Sequence, residues 1–208
     1  KDGKVKKKSN SLLIEDTTGV VFYVTAETNY NNSYPVYRTG ETNGELDTRV
    51  QRVIDAAAAK GYEKIRKNHL IDYKTIFERV HLDIGQKSSP IPTNELLTQY
   101  KEYISQSMNN NKLTPQFRYL EVLLFQYGRY LDISSSRKGS LPPNLQGVWN
   151  DQTINVPWGS DYHTNVNLQM NYWPTFSTNM AELGLPLLEF IESVREPGRV
   201  TAKIYTGI

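Results

Sequence analysis

The residues of this chain whose types could do chemistry crowd into one stretch, His163–Pro174, which reads HTNVNLQMNYWP. It holds three asparagines, a histidine, a tyrosine and a tryptophan, with no charged residue among its twelve positions. An asparagine amide neither gives nor takes a proton in catalysis unaided. Such a cluster therefore either caps a helix and fills a buried loop, or belongs to a site completed from elsewhere. Spacing decides which residues can act together. Asn165 and Asn167 share a face only on an extended segment, whereas Asn167 and Asn171 share a face on a helix. A helix that begins between Asn165 and Asn167 satisfies both, with Asn165 near its cap and Pro174 ending or kinking it after Trp173. For the amides alone, capping is the simpler reading. Asp161, His163 and the indoles of Trp149 and Trp158 nearby shift the balance toward a site.

The elements that must position these groups are legible from period and punctuation. Val20–Thr28, VVFYVTAET, is rich in β-branched and aromatic residues and reads as a strand, with SLLIE upstream as its antiparallel partner. From Leu46 the period becomes helical through Val50, Val53, Ile54, Ala57 and Ala58, and Gly61 is placed to stop that helix. A second stripe follows through Ile65, His69, Tyr73, Ile76, Phe77 and Val80, in which His69 reads as a packed histidine. Leu82–Glu95 carries the glycine, prolines and hydroxyl residues of a linker. Thr93 is placed to cap a helix with Leu96, Leu97, Tyr100, Tyr103 and Ile104 on its apolar face. Thr114-Pro115 signals the next helix, with Phe117, Leu120, Leu124, Tyr127 and Leu131 as its stripe. Asp132–Thr164 is dense in breakers and reads as a long functional loop. Leu183, Leu187, Phe190, Ile191 and Val194 predict a last amphipathic helix, ended by Gly198.

Bulk composition limits the classes of function. Net charge is +2 over 208 residues with 22% charged, so nucleic-acid binding through bulk charge is not expected. No apolar run approaches the ~20 residues that span a bilayer, so no membrane partner is expected either. The absence of cysteine removes disulfides and thiol nucleophiles. Fourteen tyrosines and three tryptophans against six phenylalanines give rings with polar handles, which suit sugar contact as well as packing. Lys1 is not a methionine and the opening reads as the middle of a hairpin, so a piece of a longer protein is expected.

Three blocks carry a resemblance to a known family: LPPNLQGVWN (Leu141–Asn150), VPWGSDYHTNVNLQMNYWP (Val156–Pro174) and NMAEL (Asn179–Leu183). With weaker similarity in Ala56–Val80 and Phe125–Gly139, they resemble glycoside hydrolase family 95, the inverting α-L-fucosidases. The resemblance implies an α+β fragment. Residues 1–44 would end a β-sandwich, 45–90 would be a helical linker, and 91–208 would be the first helices of a truncated (α/α)6 catalytic barrel. Members release terminal α-linked L-fucose, typically α-1,2-linked to galactose, with inversion and without metal or cofactor. Asn165 and Asn167 match the catalytic amides that position the attacking water, polarised by an aspartate far downstream. The general acid is a glutamate from a later segment, and neither carboxylate can be matched in this chain. His163 matches a position lining the C5 substituent of the sugar, where its bulk favours the methyl of fucose. Trp149, Asn150 and Trp158 either shape the pocket or pack. The expected partners are a fucosylated oligosaccharide or polysaccharide and the remainder of the same polypeptide, in a periplasmic or secreted bacterial protein. Two alternatives stay open: an α-L-galactosidase of the same family, and a non-catalytic carbohydrate-binding helical module.

Overall fold

The computed structural model describes residues 3–106, 113–152 and 156–207. Among them the chain is mostly helical, with one two-stranded antiparallel sheet. It divides into two compact units, Lys1–Leu70 and Ile71–Ile208.

In the first unit, β1 (Lys4–Lys8) and β2 (Ser11–Glu15) pair with Lys4 opposite Glu15 and Lys8 opposite Ser11. Lys6 Nζ donates to Glu15 Oε2 at 2.9 Å across the exposed face. The expected strand Val20–Thr28 does not form. SLLIE is taken up by the lysine strand just before it, and no described strand is left to satisfy the backbone of Val20–Val24. Phe22 and Val24 lie 66% and 88% exposed there. Helix α1 (Asn43–Lys60) forms as its period predicts. It starts at a capping box in which Thr42 accepts from Glu45 N–H and the Glu45 carboxylate accepts from Thr42 N–H, which holds that carboxyl below its usual range. It stops at Gly61, whose φ of 77° needs a residue without Cβ. Helix α2 (Tyr62–Phe77) follows, and His69, expected to be packed in its stripe, is exposed.

The second unit holds the end of α2, then α3 (Thr93–Gln106), α4 (Pro115–Ser135), α5 (Asn167–Ser177), α6 (Leu185–Ser193) and α7 (Arg195–Thr206). Thr93 is the first residue of α3 rather than its cap, because Leu96 N–H bonds Pro92 O. Thr114 caps α4 as predicted, accepting from Phe117 N–H at 3.2 Å ahead of Pro115. The stripe predicted for α4 is only half right. Phe117 and Leu120 pack with Leu96, Tyr100 and Tyr103 of α3, but Leu124 and Tyr127 are 73% and 54% exposed. The second half of the helix and its cap residue instead bury Arg129, Ile133 and Ser136, about 180° round from Leu120. Ile133 meets Ile76, Met180 and Leu183 in a second core cluster flanked by Tyr73 and Phe77.

Arg129 explains the switch of face. It is 1% exposed, and its guanidinium donates to Ile76 O, Phe77 O and Val80 O and to Gln126 Oε1, at 2.9 to 3.2 Å. Ile76 O and Phe77 O lie in the last turn of α2 and Val80 O just beyond it, where the helix runs out of i+4 donors, so an arginine from another helix caps them; Ile76 O also accepts from Arg79 N–H at 3.2 Å. Ser136 ties the end of α4 to α5. Its hydroxyl donates to Leu183 O at 2.9 Å and accepts from Tyr172 OH at 2.7 Å, and burial pushes the Tyr172 phenol up to about 12.

Pro174 does not end α5, which continues to Ser177. Leu168, Tyr172 and Thr175, all buried, anchor it on both sides of the proline, and Thr178 closes it with its N–H and hydroxyl on Pro174 O. Gly198 ends nothing. The chain breaks at Val194 (φ −87°, ψ −3°), Gly198 sits in the first turns of α7, and left-handed Gly207 is the stop.

Candidate active site

Helix α5 begins at Asn167, with Val166 as its cap residue and Asn165 just before it. Asn165 Oδ1 accepts from Val166 N–H at 3.0 Å, a local turn bond. The His163 carbonyl accepts from Leu168 N–H at 2.9 Å, so the histidine backbone is part of the helix entrance. Upstream, the turn at Asn144–Gly147 is held rather than loose. Asn144 and Gly147 exchange both backbone bonds, and Asn144 Oδ1 accepts from Gln146 N–H at 2.8 Å. Gly147 has φ 70°, and a Cβ there would come within 3.1 Å of the Trp149 ring, so only glycine lets the indole lie across the turn.

Three hydrogen bonds draw this loop to the helix entrance, and a ring contact ties it to α6. Leu145 N–H donates to Asp161 O at 3.3 Å, and Tyr162 OH donates to Pro142 O at 3.0 Å. Asn171 Nδ2 donates to Pro143 O at 3.2 Å, and the Tyr162 ring packs on Phe190 of α6 at 4.7 Å. Between them lies a cavity of about 150 Å³, bounded by Asn144 and Leu145, by Asp161–His163, and by Asn167 and Asn171.

Its polar groups are unequal. Asn144 and Asn171 have their amides engaged in holding the loop, while the Asn167 amide has no protein partner among the described residues. Asp161 Oδ1 and His163 Nδ1 are hydrogen-bonded. The Trp158 ring meets the imidazole edge-on, with centroids 5.3 Å apart and planes at 71°. Trp158 stands in a strained turn: its φ is 54°, followed by 66° at Gly159 and 55° at Ser160. Two non-glycine residues flank a glycine in the left-handed region here, at ~1–2 kcal/mol each. Trp149 and Asn150 line a second, more open cavity of about 610 Å³ with Gln146, Val148 and Pro157.

Of the residues singled out in the sequence, His163 and Asn167 thus share one cavity, Trp158 meets His163 edge-on beside it, and Trp149 and Asn150 share the neighbouring one. Asn165 lies beside the helix entrance, outside the lining. Asn144 enters the site only through the loop-to-helix contacts, which no local pattern encodes. Asn171 could be placed there from its four-residue spacing to Asn167. Among the described residues no group of three or more His, Asp or Glu side chains could hold a metal ion, and no helix is long and apolar enough to cross a membrane. The cavity offers neutral amides, one carboxylate and one imidazole, which suits hydroxyl-rich neutral ligands and a bound water.

Comparison with known proteins agrees with this chemistry. The chain is 36% identical over 207 residues to "Probable alpha-fucosidase A" of Aspergillus niger, covering 96% of this chain and 24% of that protein. It is 40% identical over 161 residues to "Probable alpha-fucosidase A" of Aspergillus oryzae, covering 76% and 21%. It is 35% identical over 198 residues to "Alpha-L-fucosidase 2" of Arabidopsis thaliana, covering 94% and 22%. The chain therefore spans about a quarter of the length of the curated relatives it matches. Residues 61–208 match the glycosyl hydrolase family 95 catalytic domain, and on that match, over most of its length, the chain belongs to glycosyl hydrolase family 95.

Proposed function

We propose that the full-length protein is an inverting exo-acting α-L-fucosidase, releasing terminal fucose α-1,2-linked to galactose, and that these 208 residues carry the water-positioning half of its site. The observation that carries this reading is the cavity in which the Asn167 amide, without a partner among the described residues, stands beside His163 at a helix entrance. The names of the relatives support the sugar. The Asn167 carbonyl holds the attacking water, with Asn165 beside it on the approach to the helix. The amide becomes a base only when a carboxylate draws on its N–H side. His163 bounds the C5 substituent, and Trp158 and Trp149 with Asn150 shape the approach.

The general acid and the polarising aspartate come from outside these residues. The glutamates of the chain near α6 are engaged or turned outward. Glu182 meets Arg79 at 2.6 Å and Glu192 meets Arg195 at 2.6 Å. An inverting pair needs ~6.5–9.5 Å between its two groups, with the water between them. The chain alone is accordingly inactive. Exposed Leu124, Tyr127, Trp173, Phe176, Ile191 and Ile204 suit burial against further barrel helices, and Phe22 and Val24 suit further sandwich strands. On this reading residues 1–44 close the sandwich, 45–90 link, and 91–208 open the (α/α)6 barrel, in a periplasmic or secreted protein.

The test is hydrolysis of a fucosyl-α-1,2-galactoside by the full-length protein, with the anomer of the released fucose followed by NMR. Initial release of β-fucose is expected; α-fucose or no turnover refutes the proposal. An aryl α-L-galactoside hydrolysed faster than the fucoside would overturn the role given to His163. Glycan binding without turnover would make the protein a carbohydrate-binding module instead.

A further inference from the structure

We infer that Asp161 is a positioning residue: its carboxylate accepts a hydrogen bond from Nδ1–H of His163 and so presents Nε2 as a hydrogen-bond acceptor for a sugar hydroxyl in the cavity. The choice of a sugar as ligand rests on the proposed function; the tautomer does not. The imidazole is fixed from three directions. Its backbone carbonyl is held by Leu168 N–H at the start of α5, its Nδ1 by Asp161 Oδ1, and its edge or face by the indole of Trp158. Asp161 is itself placed, because its carbonyl accepts from Leu145 N–H and the next residue is pinned by Tyr162 OH on Pro142 O. Both Asp161 and His163 border the cavity that holds Asn167.

The two ring nitrogens of a neutral histidine have opposite roles, and the partner of one sets the role of the other. A carboxylate accepts only, so the neutral ring must carry its hydrogen on Nδ1 to bond it. Nε2, which has no partner among the described residues, is then left with a lone pair. That complements the Asn167 amide, whose NH2 donates. Together they offer one acceptor and one donor to adjacent hydroxyls of a neutral sugar. The local strain at Trp158–Ser160 fits this account, because an ordinary turn would not bring the indole against the ring that Asp161 orients.

The chain has three histidines, so NMR of isotope-labelled histidine nitrogens can resolve His163 by comparison with His163→Ala. At neutral to mildly alkaline pH the ring should carry its hydrogen on Nδ1. Asp161→Ala should shift most of the population to the Nε2–H form that an unpartnered imidazole prefers, and Asp161→Asn, whose amide oxygen still accepts, should retain the Nδ1–H form. The Asp161 side chain is 54% exposed, so neither variant removes core packing. An Nε2–H or doubly protonated ring in the wild type, or identical rings in wild type and Asp161→Ala, overturns the inference. In the full-length protein, Asp161→Ala should raise KM for an aryl α-L-fucoside about tenfold with a smaller change in kcat, and Asp161→Asn should recover most of it. An unchanged KM beside a changed tautomer refutes the substrate contact. No hydrolysis of any fucoside by the wild type refutes the proposed function while leaving the tautomer result standing.

Discussion

Replacing Asp132 by asparagine should remove a pH dependence from the stability of the second unit. Asp132 lies on α4 and is 8% exposed, and its Oδ2 has no hydrogen-bond partner among the described residues. Arg129, one turn earlier, makes no hydrogen bond to it: its two terminal nitrogens go to Ile76 O, Phe77 O, Val80 O and Gln126, and its buried Nε has no partner among the described residues. Burial therefore pushes the Asp132 carboxyl from an ordinary 3.8 up to about 6. With the folded value above the unfolded one, the native state binds more protons between those pH values, so stability falls as pH rises through the window. The loss is absent below about pH 4 and complete above about pH 6. At ~1.4 kcal/mol per pH unit it amounts to about 3 kcal/mol. Glu182 acts at lower pH. Burial would raise its carboxyl but is outweighed by its own backbone N–H together with Arg79 and Arg137, so its contribution is lost as pH falls below the ordinary 4.5. Urea unfolding of wild type and Asp132→Asn, followed from pH 4 to 7.5, checks the argument. The wild type should lose about 3 kcal/mol relative to the variant on going from pH 4 to 7. With urea slopes of ~1–3 kcal/mol/M, that is a relative midpoint shift of about 1–3 M. Parallel pH profiles for the two proteins would refute the reasoning.

Other outcomes follow from single contacts. Asn167→Ala in the full-length protein should lower kcat about 100-fold or more with unchanged circular dichroism, and near wild-type turnover would remove its water-positioning role. Arg129→Met removes the guanidinium from which Ile76 O, Phe77 O and Val80 O accept, and should destabilise by about 3 kcal/mol in urea unfolding. Thr114→Ala removes the α4 cap and should lower stability by about 1 kcal/mol, whereas Thr114→Ser should be close to neutral.

Where local chemistry decides, the sequence was a sufficient guide. Thr114-Pro115 starts α4, Gly61 stops α1, and the spacing of Asn165, Asn167 and Asn171 placed the start of α5. Where a distant partner decides, it was not. The exposed Leu124 and Tyr127 look like core in a periodic stripe, and buried Arg129 looks like surface, because its acceptors lie about 50 positions earlier. Val20–Val24 has strand propensity, but the only described strand pairing is between its upstream neighbours. Gly198 has a helix penalty of only ~1 kcal/mol, which the surrounding turns of α7 override. In the site, His163 and Asn167 were conspicuous as a cluster of unusual types. Asp161 could be seen two residues from His163, but its bond to the ring depends on the strained turn before it. Asn144 reaches the cavity through a turn closed by Gly147 and the clamp of Leu145 on Asp161.

The two opposed faces of α4 also bear on how the chain is made. As the ribosome releases it from the N-terminus, residues 91–120 bring with them every member of the cluster between α3 and the first half of α4. The second face must wait for Met180 and Leu183, some fifty residues later. Until then Arg129 can already clasp the end of α2, which was synthesised earlier, so the nascent chain acquires a polar latch before it acquires the apolar cluster around it. The site loop is synthesised between these two events, and its walls close only when α5 and α6 arrive.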